Sequence, residues 1–188
     1  MKLLVPLVLA LSFFLTIASG FAQDEAKLLQ DAVTLLTEGK VEEAQDLVKR
    51  AYLVLWNKAP LTCPTYLFVE EEPRSFAVYR PRPSQTFIGD EVMYVYAEPK
   101  NYTILQEGDV YHTYLAVGYA VYDKGGNYLG GEESWEEFRY ITKAPVFELF
   151  FSFSFSFNLD PGDYVLEVTV KDKLSDKETS FRLPFKRL

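Results

Sequence analysis

The sequence predicts a mainly β protein, with an N-terminal α-hairpin ahead of an antiparallel two-sheet β-sandwich of about seven or eight strands. Three observations predict it. Apolar residues recur at helical spacing over residues 24–58 and at every second position beyond Tyr66. Over residues 146–159, Phe147, Leu149, Phe151, Phe153, Phe155, Phe157 and Leu159 alternate with Glu148, Phe150, Ser152, Ser154, Ser156 and Asn158, so one side of a strand is core and the other mostly meets water. Gly, Pro, Asn and Asp clusters punctuate the same C-terminal part at short intervals.

The first segment reads as an export signal. Lys2 is followed by the uncharged residues 3–17, then by Ala18, Ser19, Gly20, Phe21 and Ala22 ahead of the polar Gln23, Asp24 and Glu25. A basic start, an apolar run below the ~20 residues of a membrane span and small residues at a cleavage position predict a secretory signal over 1–22, cut after Ala22. The expected location is periplasmic or secreted, with no stable membrane insertion after cleavage. A retained N-terminal anchor is the competing reading of the same run.

Residues 23–58 form the expected hairpin. Leu28, Ala32, Leu35 and Leu36 fall on one helical face, and Ala44, Leu47, Val48, Ala51 and Leu55 follow Gly39 on another. Gly39 suits the left-handed position that ends a helix, and Glu42 and Glu43 suit the start of the next. Leu28, Ala32, Leu35, Gly39, Val41, Glu43, Ala44, Val48 and Ala51 resemble one tetratricopeptide unit, a motif of about 34 residues. Trp56 stands where that repeat has its proline, and Pro60 comes later. Such units normally stack about three deep. The resemblance therefore implies an apolar face to be covered by the rest of the chain or by a partner.

Residues 59–65, with Pro60 and Pro64, read as a linker that carries the lone Cys63. That thiol is expected either to be buried as a small apolar group or to pair between chains. The sandwich domain is expected over 66–188. Its strand candidates are 66–69, 75–80, 92–97, 111–122, 128–129, 146–159, 164–171 and 179–185, with turns at 123–127, 160–163 and 175–177. Residues 92–97 are apolar on both faces and are expected to be central.

Residues 160–172, closing with Phe181, Arg182, Leu183, Pro184 and Phe185, resemble the final hairpin of bacterial surface and periplasmic sandwich domains of immunoglobulin or fibronectin type. Residues 87–92, where a turn feeds a strand, do so too. Residues 75–188 together look like a family of secreted bacterial proteins with no assigned activity. The resemblance implies architecture and compartment, and it brings no catalytic residues.

Composition narrows the chemistry. The chain has 19 Lys and Arg against 27 Asp and Glu, a net charge of -8, one His, one Cys, and 16% aromatic residues among 188. An acidic chain without a basic run repels a phosphate backbone, so no nucleic acid is expected. One Cys and one His leave no disulfide framework and no thiolate or paired-imidazole zinc site. No cofactor and no metal are expected. His112 is the only general-base candidate, and no serine in a Gly-x-Ser-x-Gly turn accompanies it. The acidic runs 70–72 and 132–137 read as solvated loops, without the spacing of a calcium loop.

The aromatic surplus supplies the binding candidates. Tyr102, Tyr128, Trp135 and Tyr140 fall in or beside expected loops, where no strand partner covers a ring. Ala116, Gly118 and Ala120 share one face of the long strand, rimmed by Tyr114 and Tyr122; this face either docks the hairpin or forms a shallow groove. Two functional readings follow. The first is a non-enzymatic exported protein that binds another envelope or extracellular protein through the groove, a sheet edge and the hairpin. The second is a carbohydrate-binding module that stacks sugars on loop aromatics. Coplanar exposed rings favour sugars; inward rings with an open strand edge favour protein contact.

Overall fold

A computed structural model describes the backbone of residues 15–188 and the side chains from residue 25 on. Residues 1–14, with the basic start of the expected signal, lie outside the described residues, and the expected cut after Ala22 falls within the first helix. The chain divides into two units, residues 1–55 and 56–188.

In the first unit, α1 (Leu15–Thr37) turns into α2 (Val41–Lys58). The turn is closed by main-chain bonds from Lys40 N–H to Leu35 O (2.9 Å) and from Gly39 N–H to Leu36 O (3.1 Å), a paired capping arrangement. Gly39 takes φ 79°, which a side chain would disfavour. The buried positions are the small ones, Ala32, Ala44 and Ala51. Leu36, Val48 and Leu55, expected on the packing faces, are instead about half exposed, alongside Leu29, Val33, Val41 and Tyr52. The hairpin thus carries an apolar face that helical spacing alone assigned to its interior.

The second unit is mainly β. Its strands are β1 (Thr62–Val69), β2 (Thr86–Phe87), β3 (Met93–Lys100), β4 (Leu105–Glu107), β5 (Val110–Asp123), β6 (Tyr128–Thr142), β7 (Phe151–Phe155), β8 (Gly162–Asp172) and β9 (Glu178–Arg187). A three-stranded sheet runs β1-β3-β7, so β3 is central as its two-sided apolarity predicts. The larger sheet runs β2-β9-β8-β5, with β4 beside the start of β5 and β6 along the opposite side of β5. All pairings are antiparallel except β2 with β9.

Alternation builds the core. Leu115, Val117 and Val121 of β5, Leu166, Val168 and Val170 of β8, and Phe181, Leu183 and Phe185 of β9 are buried, as are Met93, Val95 and Ala97 of β3 and Phe151, Phe153 and Phe155 of β7. Rings of the two sheets meet: Phe68 with Phe87 (5.1 Å), Tyr66 with Phe181 (4.6 Å), and Phe155 with Tyr119 (5.3 Å). The arrangement is compatible with a β-sandwich.

At one end Trp56, in the last turn of α2, donates from Nε1 to Tyr102 O (2.8 Å). Asn57 bonds both main-chain groups of Ile104 through its side-chain amide (3.0 and 2.9 Å). Lys177 Nζ donates to Asn57 O and Asn101 O (2.7 and 2.8 Å), and burial pushes its ammonium below the usual lysine range.

Four expectations change. Residues 75–80 form no strand; they cross the outer face of β3, where the Ala77 N–H donates to Tyr96 Oη (2.7 Å) and Tyr79 lies against the Tyr96 ring. Arg80 O accepts from Glu70 N–H and Arg82 N–H donates to Phe68 O (3.0 Å each), a single bridge to β1 that Pro83, without an N–H, does not extend. β1 begins at Thr62, inside the stretch read as linker. Residues 146–159 pair only at β7, because β3 offers partners from Met93 to Ala97 alone. The acidic run 132–137, read as a loop, lies within β6, an edge strand whose inward rings Trp135 and Phe138 fall three residues apart, so no unbroken period-two signal marks it.

Arg187 closes the opposite end. It is 1% exposed, and its guanidinium donates to Glu91 O (3.1 Å) and Phe157 O (2.8 Å), with no carboxylate at ion-pair distance among the described residues. Its Nε has no partner there. Arg187→Ala is expected to destabilise the domain by about 3 kcal/mol, since it empties a filled site and strips two carbonyls of their donors, whereas Arg187→Met costs less by removing the buried charge without the volume. Urea unfolding midpoints of the two variants check this order.

Candidate functional site

The outer face of β5 and β8 carries a groove of about 360 Å³. Its making begins with register. Val117 pairs with Glu136 and Tyr119 with Glu132, so β6 holds surplus residues where β5 advances by one repeat. The surplus bulges onto the outer face. It can do so because Gly118 has no Cβ: one placed there would strike the Glu133 carbonyl oxygen and lie 2.8 Å from that of Glu132. On Gly131 a Cβ would strike the Tyr119 carbonyl oxygen and lie 2.8 Å from Ala120 Cα. The groove is floored by Gly118, Ala120 and Gly131, with Glu132 and Glu133 on one side, Glu167, Thr169 and Lys171 on the other, and Tyr122 and Tyr128 as further walls. Other depressions, about 450 Å³ beside Thr86 and Pro184 and about 480 Å³ at residues 71–80, do not adjoin β6.

Charge in the groove is unevenly matched. Glu167 is held by Arg182 and lies 3.5 Å from Tyr122 Oη, and Glu178 lies 3.8 Å from Lys171 Nζ. Glu132 and Glu133 have no cation at ion-pair distance among the described residues. Burial raises the Tyr119 phenol above its usual range, and the neighbouring Glu132 adds to the shift. The Arg182 guanidinium stands 5.7 Å from the centre of the Tyr122 ring. Tyr128 is 61% exposed, its ring 6.0 Å from that of Tyr122 and turned by 67°.

The other sequence candidates lie elsewhere. Tyr102 is fully buried, its hydroxyl donating to Val146 O (2.8 Å). Trp135 turns inward onto Phe155 (4.9 Å), Tyr119 (5.4 Å) and Phe153 (5.6 Å). Tyr140 is half-buried, and burial pushes its phenol upward. Tyr114 lies on the groove's face of β5 but outside the groove, bonded to Glu137 and covered by the Arg139 guanidinium (4.3 Å). Tyr102, Trp135 and Tyr140 therefore present no exposed ring, because what read as loop is a buried turn and a long strand. The residues missed by sequence reasoning are Gly131, Glu132, Glu133, Glu167, Thr169, Lys171 and Glu178. Outward alternation along β8 and the Gly130, Gly131 pair were visible; the register joining them was not.

Among the described residues β6 pairs with β5 alone, and its outer side pairs with no strand. The free edge carries Glu132, Glu133, Glu136 and Glu137. His112 Nε2 lies 3.5 Å from Glu107 Oε2, and among the described residues no hydroxyl or thiol is bonded to the imidazole. No group of three metal-ligating side chains occurs among the described residues. Cys63 is buried, its thiol donating to Thr65 O (3.7 Å) and pushed by burial up to about 12.

Neither a protein-family model nor a curated protein matches the sequence. Among solved structures, the C-terminal domain of wzt matches at TM-score 0.42 with 16% identity, covering 71% of this chain and 76% of that one. A Bacteroides uniformis β-glucuronidase matches at TM-score 0.32 with 15% identity, covering 67% of this chain and 13% of that one. At these scores neither likeness bears on function.

Gly118→Ala is expected to cost about 1–3 kcal/mol by overpacking against the bulge. Gly130→Ala, whose Cβ would meet nothing within 4 Å, is the matched control, and denaturant titration separates them. A thiol-specific reagent at pH 8 should label Cys63 only after unfolding, with no disulfide-linked dimer on a non-reducing gel. Burial raises Cys63 from 9.0 and Tyr96 from 10.0 to about 12 each. Both folded values exceed the unfolded ones, so this stability is complete below pH 9 and is lost as pH rises toward 12. Melting temperature measured across that window checks the sign.

Proposed function

We propose that the protein is an exported, non-enzymatic interaction protein, which receives a protein of the envelope or extracellular space at the groove and the open edge of β6. The observation that carries this reading is the direction of the rings beside an unpaired strand. Stacking on sugars needs flat exposed rings in one plane, and of the four loop candidates only Tyr128 is exposed. Its nearest groove companion, Tyr122, is turned by 67°. A 15-residue strand with one neighbour offers a row of main-chain donors and acceptors instead.

Export rests on the signal expected over 1–22. The finer architecture, an immunoglobulin-like two-sheet sandwich, is supported by the ring contacts between inner faces. The tetratricopeptide-like hairpin adds a second apolar surface through Leu29, Val33, Leu36, Val41 and Val48.

Affinity capture from the host envelope tests the reading. The recovered bait should begin at Gln23, and a protein partner recovered with the native chain should be lost with Tyr128→Ala, a change at an exposed ring that leaves the fold intact. Saturable binding to one polysaccharide on a glycan array, with no protein partner, overturns it.

A further inference from the structure

We infer that the occupant of the β6 edge and its groove is an extended basic peptide segment, added to β6 as a further strand, with a lysine or arginine side chain entering the groove against Tyr128, Glu132 and Glu133. This rests on the protein-binding reading and names the partner's chemistry.

Three observations lead to it. The first is the edge: β6 spans 15 residues and pairs with β5 alone, so its outward N–H and C=O groups are a template for another strand. Pairing runs along residues 136–142, since the bulge at 132–135 interrupts the ladder nearer the groove.

The second is charge. Glu132 and Glu133 stand beside the groove with no cation at ion-pair distance among the described residues, while Glu136, opposite Val117, stands on the other face of the strand. Farther along, Glu137 is bonded to Tyr114 and Arg139 covers that ring, so acid and base already lie together there. A second copy paired antiparallel along residues 136–142 would set Arg139 opposite Arg139, a destabilising like-charge pair, and would bring no cation to Glu132 and Glu133. An acidic segment would add charge of the same sign as theirs. A segment with a cationic side chain on the groove's face supplies the counter-charge.

The third is the groove at the end of the edge. Its Glu167 and Glu178 are matched by Arg182 and Lys171, which leaves Glu132 and Glu133 as the surplus charge. Its wall already holds a guanidinium over an aromatic ring, Arg182 over Tyr122, while the Tyr128 ring beside it is open. An aromatic face flanked by carboxylates is a receptor for an organic cation. A metal ion is a poorer fit, since no three ligating side chains converge there.

The test uses the whole chain and fluorescein-labelled peptides of about ten residues, long enough to span the free edge, with lysine and valine alternating. Anisotropy should saturate with the lysine peptide. It should not with the same peptide carrying glutamate in place of lysine, nor with a lysine peptide N-methylated at alternate main-chain nitrogens. Raising salt should weaken binding. Tyr128→Ala and the double variant Glu132→Gln, Glu133→Gln should each weaken it about tenfold while leaving the circular dichroism spectrum unchanged. Equal binding of the lysine and glutamate peptides, undiminished binding of the N-methylated peptide, or indifference to both variants overturns the proposal. A concentration-dependent dimer that excludes the peptide overturns it in favour of self-pairing. If the lysine peptide fails while Tyr128-dependent capture of an envelope protein persists, the basic occupant is wrong and the interaction reading stands. If both fail, the interaction reading falls as well.

Discussion

The contact on which the outer face depends is the one between Gly118 and the bulged main chain of β6. β5 and β6 run together for most of their length, but β6 carries surplus residues between its partners for Val117 and Tyr119. That surplus has to leave the plane of the sheet. A side chain on Gly118 or Gly131 would obstruct the close approach on the outer side, and neither residue has one. The consequences reach both faces. Outside, Glu132 and Glu133 become a wall; inside, the shift in phase sends Trp135 onto Phe155 and Phe153. A large ring is removed from solvent and two carboxylates are presented to it by one irregularity. Bulges at sheet edges commonly redirect side chains in this way.

The same irregularity explains how a sheet this rich in aromatic residues leaves so few rings for recognition. Phe151, Phe153 and Phe155 project from β7 into the space between the sheets, where Phe138, Trp135 and Tyr119 meet them from the larger sheet. The aromatic content is therefore mostly structural adhesive. The groove outside is lined mostly by small, polar or acidic residues with the rings of Tyr122 and Tyr128 beside them, while Val78, Ile88, Leu129 and Ile141 are exposed elsewhere on this unit. A groove of this kind discriminates by charge and main-chain geometry more than by apolar area.

Most of the element order was legible from residue pattern, and the reasons are local. Gly39 between two amphipathic runs marks a helix reversal. The Asp123 to Asn127 hairpin is closed by bonds between its own end residues, with the Asp123 carboxyl held below its usual range by the Asn127 amide. β5, β8 and β9 alternate because each has one face in the core. Legibility failed where burial has no period. β6 turns Trp135 and Phe138 inward, but they fall three residues apart across the irregular register, so Glu132 to Glu137 read as loop. Residues 75–80 alternate like a strand, but Ala77 and Tyr79 lie on the face of β3, and only the main chain at Arg80 to Arg82 reaches the edge of β1, in a single bridge. In the candidate site, the small-residue floor at Gly118 and Ala120 and the ring of Tyr122 were visible in the sequence. The wall was not, because Glu167, Lys171 and Glu178 arrive by cross-strand register, a property of pairs distant in sequence.

The parallel pairing of β2 with β9 also dictates an order of events in time. Thr86 and Phe87 are made early and find their partners only in Lys186 and Arg187, and β9 also supplies the neighbour of β8 and the guanidinium that bonds residues 91 and 157. A nascent chain emerging in sequence therefore cannot close this sheet until residue 187 is out of the ribosome, however much of the rest is already available. Closure of so long a loop makes the final step slow and dependent on late residues.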